Sequence, residues 1–287
     1  MPMASPVSRR TLLSASLLLL ASLTHGIAAD ASLPSDQVYH GWLCMYDLRF
    51  DEAHRVFDQW RESHPDDCLA PASDAAAYLF SELARLGSLE AELFVNDARF
   101  TNRKKLSPDP GVKLHFTQRI DEADRLADVA LGKSSEDTNA LFVKSLTFGL
   151  RANYAGLIEK RNFAALSYTK QGRPFAERLL AIDPDASDAY LGPGVENYLL
   201  SLEPAPLRIL LRWTGSETDR EKGIAELRKT ALHGYYLEPF AKLLLAVAAL
   251  RDNDPKRATV LLGELRDRFP HNELYALELA QIADKKQ

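Results

Sequence analysis

His40 and Cys44 stand four residues apart, one turn of a helix, and their side chains are the ones in this chain that most directly suggest a metal. Two ligands do not complete a tetrahedral site, and no CxxC or second His at ligand spacing joins them, so the pair reads more readily as helix packing. General acid–base chemistry would need paired carboxylates. Glu90 with Glu92, and Asp66 with Asp67, are such pairs, but they fall in loops and helix ends, where capping and solvation are the ordinary roles. The sequence contains no HExxH, GxSxG, P-loop or GxGxxG, which removes the common metal, nucleophile and phosphate-cradling frames. No catalytic residue, cofactor or metal is expected, and a non-enzymatic role follows.

The elements that would carry any site are helices. Of 287 residues, 46% are hydrophobic and only 14 are Gly, while apolar residues recur at helical spacing, so an all-α fold with a continuous core is expected. The first 31 residues stand apart. Arg9 and Arg10 precede an apolar run from Leu12 to Leu23, and small residues then offer cleavage after Ala28 or Ala31. The run is shorter than the ~18 residues a membrane span needs, so it reads as a signal peptide and the mature chain as exported, periplasmic or secreted. The paired arginines resemble a twin-arginine signal, although Leu12, Leu13 and Ser14 depart from that pattern, and the Tat and Sec routes both stay open.

Removing that segment subtracts Arg9, Arg10 and Asp30 from 35 basic and 40 acidic residues, leaving 33 and 39, or −6. A mildly acidic chain without a dense basic run argues against a nucleic-acid partner. Cys44 and Cys68 are the only cysteines, and in an oxidising compartment they either pair or remain two buried thiols.

Internal repetition decides the fold class. Ala53, Phe57, Trp60 and Pro65 recur in type and spacing as Ala258, Leu262, Leu265 and Pro270, with Gly41 and Ala246 each twelve residues ahead of the Ala. Small residues let two helices of a hairpin approach, larger apolar ones fill the adjacent gap, and Pro ends the second helix. On these residues the chain resembles the tetratricopeptide-repeat (TPR) superfamily, most closely in its first and last units. Gly149 to Tyr154, Asn197-Tyr198 and Asp219 to Gly223 add a narrower resemblance to exported bacterial TPR proteins that bring no assigned activity. The resemblance implies a right-handed superhelix, or solenoid, of helical hairpins over residues 32–287, with insertions and a C-terminal capping helix.

Between the end units the spacing loosens. Helices are expected over 72–86, 112–131, 137–160, 163–182, 185–200, 219–233, 239–251, 255–269 and 272–285, with a short extra one over 89–100. Gly192-Pro193-Gly194 should bend the helix over 185–200. Three insertions stand out: Gly87 to Gly111, the connection near Gly156 to Tyr168, and Glu203 to Gly215.

In the superfamily the first helix of each hairpin lines a concave groove that holds partner segments. The resemblance therefore implies that Val38, Trp42, Met45 and Tyr46 face the groove in the first unit, and Arg151, Asn153, Tyr154, Glu196, Asn197 and Tyr198 in the middle units. The expected partner-binding set is Trp42, Tyr46, Arg151, Asn153, Tyr154, Glu196, Asn197 and Tyr198, although Trp42 and Tyr154 would equally serve as contacts between hairpins. Val38 and Trp42 stand where the superfamily's carboxylate clamp needs Lys and Asn, which disfavours a chaperone-tail receptor. Leu207 to Trp213 (LRILLRW) reads either as a folded insertion or as a short membrane-surface contact. The resulting function is a protein–protein interaction scaffold of the bacterial cell envelope. Its rival is an enzyme or small-ligand binder whose site the insertions form.

Overall fold

Asp109, Asp137, Asp219 and Asp254 each open a helix in the same way, with a side-chain oxygen accepting from backbone N–H groups that have no partner in the first turn. Asp109 takes Gly111 N at 2.7 Å and Val112 N at 3.0 Å, bonds that hold its carboxyl below the usual carboxylate range. Pro110 and Pro255 occupy the first helical position after two of these caps, where the missing N–H costs nothing. The caps are local, so these starts follow from short stretches of sequence.

The structure is a computed structural model and describes residues 36–87, 107–202 and 218–284. Among the described residues it is all-helical: α1 (Asp36–Tyr46), α2 (Phe50–Ser63), α3 (Leu69–Arg85), α4 (Pro110–Lys133), α5 (Thr138–Asn153), α6 (Asn162–Ile182), α7 (Leu191–Ser201), α8 (Arg220–His233), α9 (Glu238–Arg251), α10 (Pro255–Arg268) and α11 (Glu273–Asp284). A π-helical turn, Tyr154–Ile158, follows α5, and a 3₁₀ turn, Ser187–Tyr190, precedes α7. Each described helix packs on its neighbour in the chain. The signal-like segment, the expected 89–100 helix and the 203–215 insertion lie outside the described residues.

Close approach of paired helices is visible where the sequence is smallest. A Cβ on Gly41 would sit 2.4 Å from the Phe57 ring, so α1 and α2 can meet there only because Gly41 has no side chain. On Gly223 it would lie 2.6 Å from Tyr198 N and 2.9 Å from Gly194 O, which puts the α8 backbone almost against the α7 backbone. Ala53 and Ala258 are fully buried in the same core.

One expectation is corrected. Gly192-Pro193-Gly194 does not bend a helix in its middle, because α7 begins at Leu191 after the 3₁₀ turn. Pro193 thus lies in the first helical turn, where its absent N–H is one of the groups a helix leaves unpaired anyway.

The largest core cluster joins α1 through α5 directly to α9, α10 and α11, while α7 and α8 share a second cluster with the other side of α9. α9 is apolar nearly all round for this reason. In a one-dimensional stack each unit would touch only its neighbours. Here the first hairpin also meets the last: Asn272 Nδ2 donates to Tyr46 O at 2.9 Å, Arg268 Nη2 to Tyr39 OH at 2.6 Å, and His271 N to Asp47 Oδ1 at 2.9 Å. Between them lies the segment from Gly234 to Leu237, held by Asp188, whose carboxylate accepts from Tyr235 N, Tyr236 N and Leu237 N at 2.9 to 3.1 Å. Burial raises the Asp188 carboxyl above its ordinary range, and the three N–H groups pull against that rise.

Candidate partner-binding site

The face of α1 expected to line an open groove is interior. Val38, Trp42, Met45 and Tyr46 are all buried. Trp42 Nε1 donates to Ser73 Oγ at 2.9 Å, its ring lies 5.8 Å from that of Tyr236, and Tyr46 OH donates to Tyr236 O at 3.0 Å. Phe80 and Phe269 pack on the other sides of Tyr46. The physical reason is the meeting of first and last hairpins: the chain's own Tyr235-Tyr236 segment and the α10–α11 corner occupy the space a partner would need.

The middle set is similarly engaged. Arg151 pairs with Asp124 at 2.5 Å and Asp121 at 3.3 Å, and Lys144 with Asp124 and Asp128, so basic residues of α5 bind acidic residues of α4. Glu196 is buried with Arg173 Nη1 at 3.5 Å, Asn197 Nδ2 donates to Glu226 Oε2 at 2.9 Å, and the Arg220 guanidinium lies over the buried Tyr198 ring. These residues knit α6, α7 and α8 together. Their polar character gives no hint of this in the sequence, because the partners are 23 to 29 residues away.

The part of the expected set that borders solvent is the α5–α6 connection. α5 gives way to the π-helical turn at Tyr154, an arrangement that inserts an extra residue per turn and recurs at functional sites. Tyr154 is buried and stacked on Phe116 with ring centroids 4.8 Å apart, and its hydroxyl has no hydrogen-bond partner among the described residues. Burial, with Glu159 and Glu82 adding to it, pushes that hydroxyl up to about 12. For Glu159 burial also acts upward, but Lys113 Nζ at 2.6 Å and Arg161 Nη1 at 3.2 Å outweigh it and leave the carboxyl below its ordinary value. Lys160 then takes a left-handed φ of 56° and α6 starts at Asn162. Phe163, in the first turn of α6, is 92% exposed. Arg151 and Asn153 are half-buried at the rim of the same connection.

No family model matches the chain, and no curated protein or solved structure matches it significantly. The described residues hold no helix long and apolar enough to cross a membrane.

Two polar clusters lie elsewhere, one not foreseen from the sequence and one that adds Glu52 to the His40–Cys44 pair. Asp74, on α3 and 1% exposed, receives Arg119 Nε from α4 at 2.6 Å and faces His54 Nδ1 of α2 at 2.5 Å, with His54 lying against Tyr78. Asp58, Arg61 and Glu122 continue this belt toward solvent. Three helices are thus tied through one interior carboxylate, and severing such a pair costs about 3–5 kcal/mol. At the α1–α2 corner, Glu52 joins His40 and Cys44, with their three ligand atoms within 4.8 Å of one another. Cys44 and Cys68 are free, buried thiols, so the pairing alternative is not realised. Burial lifts Cys68 up to about 12, with Asp67 and Asp137 adding to it; burial also raises Cys44, with Arg49 opposing the rise and Glu52 and Asp47 adding to it. A cavity lined by Met45, Tyr46, Phe80, Phe240 and Tyr275 encloses about 10 Å³, room for about one water.

Proposed function

We propose that this protein is a non-catalytic interaction module of the bacterial cell envelope, a TPR-like superhelix of helical hairpins that captures an apolar segment of a protein partner. Export rests on the signal-like residues 1–31. The observation that carries the binding reading is Phe163, a large aromatic held almost entirely in water at the entry to α6. Exposing a Phe leaves roughly 1.5–3 kcal/mol of burial unrealised, and such anchors concentrate binding energy when a partner covers them.

In this reading Trp42, Tyr46, Tyr154, Glu196, Asn197 and Tyr198 serve the module by packing it, and Arg151 and Asn153 border the contact. Leu207 to Trp213 remains a candidate for membrane-surface contact, and the mildly acidic charge argues against a nucleic-acid partner. The rival, a small-ligand or catalytic site built by the insertions, would use the same α5–α6 connection together with the two other insertions. The test is affinity capture from envelope extracts with wild type and Phe163→Ala. Loss of a specific partner from the variant, with helicity unchanged, supports the reading. Identical capture by both proteins would remove Phe163 as the anchor and leave the reading without its support.

A further inference from the structure

We infer that the α1–α2 corner is a zinc-class metal site formed by His40 Nε2, Cys44 Sγ and Glu52 Oε1. The sequence supplies the first two as neighbours one turn apart on α1, and folding supplies the third. The link Asp47–Arg49 reverses the chain within three residues, with Leu48 at a left-handed φ of 59°, and so lays the first turn of α2 beside α1. His40 Nε2 then stands 3.6 Å from Cys44 Sγ and 3.6 Å from Glu52 Oε1. Zinc held at about 2.0–2.1 Å from nitrogen or oxygen and about 2.3 Å from sulfur sets ligand–ligand edges of about 3.3 to 3.6 Å in a tetrahedron. These two separations match such edges; the one between His40 Nε2 and Glu52 Oε1 is long for a direct N–O hydrogen bond, while the one to Cys44 Sγ is also within reach of a weak hydrogen bond to sulfur.

The surroundings suit a cation. Arg49 Nη1 binds the other carboxylate oxygen, Glu52 Oε2, at 2.6 Å, and Arg49 Nε binds Asp47 Oδ2 at 3.0 Å. Arg49 therefore orients Glu52 with Oε1 toward His40, the part an outer-shell residue plays for a ligating carboxylate. A thiolate and a carboxylate neutralise a divalent ion, and Arg49 and Asp47 offset each other. Cys44 forms the buried floor and His40 the solvent side, with side chains of His40 and Glu52 53% and 34% exposed, so an ion reaches the site without unfolding. Binding replaces the S–H bond of Cys44 by an S–metal bond and releases that proton to water; His40 binds neutral and nothing is oxidised or reduced. Three protein ligands leave a fourth position for water or a partner's side chain.

The experiment titrates the purified, reduced protein with Co²⁺ as a spectroscopic stand-in for Zn²⁺, then displaces it with Zn²⁺. One equivalent is expected, with a thiolate-to-cobalt charge-transfer band in the near ultraviolet. Cys68→Ala should keep the band and Cys44→Ser should lose it. Because Cys44 is interior, the exposed His40→Ala and the half-buried, nearly isosteric Glu52→Gln test the site without cutting into the core, and each should weaken binding about tenfold or more. No binding by wild type, a band that survives Cys44→Ser, a band that depends on Cys68, or affinity untouched in both His40→Ala and Glu52→Gln would each overturn the assignment.

Discussion

Removing the Asp188 carboxylate tests how the segment that fills the interior is held. Its side chain, in the 3₁₀ turn before α7, gathers the N–H groups of Tyr235, Tyr236 and Leu237, about fifty residues onward, and no other bond to those three donors is present among the described residues. Asp188→Ala strands three partly buried donors. Each costs roughly 1–3 kcal/mol when left unsatisfied, and because they share one acceptor and relax together the sum is expected near 3–5 kcal/mol. Against a total of about 5–15 kcal/mol this is a large fraction. With a urea slope of about 2–3 kcal/mol/M, the unfolding midpoint should fall by about 1–2.5 M at unchanged slope. Asp188→Asn, which keeps the shape but presents an NH₂ to donors, should fall in between. The second readout is fluorescence, since Trp42 packs against Tyr236 and its emission should shift to the red in the folded variant. An Asp188→Ala protein within about 1 kcal/mol of wild type, with unmoved emission, would refute the claim that this carboxylate pins the segment.

Two Gly→Ala changes should move stability in opposite directions. Gly223→Ala drives a Cβ into backbone atoms of α7, which cannot swing aside, and should cost about 1–3 kcal/mol by thermal or urea unfolding. Gly263→Ala on α10 meets nothing within 4 Å and should stabilise by up to about 1 kcal/mol. Glu159 supplies a pH dependence: its folded carboxyl lies below its unfolded value near 4.3, so its contribution is full above that value and is lost as pH falls through the folded one. Lys113→Met should therefore flatten the acid limb of the stability–pH curve below about pH 5, by less than about 1 kcal/mol because Lys113 is half exposed; an unchanged limb would contradict the pairing.

Much of the fold was legible in short stretches of sequence. Helix starts follow from Asp caps and Pro110 or Pro255, the helix types from apolar spacing, and the close α1–α2 approach from Gly41 opposite Phe57, because each depends on residues within one or two turns or one hairpin. The onset of α7 was misplaced because Pro193 reads the same whether it interrupts a helix or sits in its first turn.

What covers each helix face was decided only by the tertiary structure. Periodicity says that Trp42 and Tyr46 share a side of α1, but their covering comes from Tyr236, Phe269 and Asn272, some 190 to 230 residues onward. Whether first and last hairpins meet depends on the packing of all the helices between them, and no single stretch encodes that sum. The same holds at the α1–α2 corner on a smaller scale. His40 and Cys44 are a pair on paper, and Glu52 becomes their neighbour only because the chain turns within three residues and lays one helix against the other.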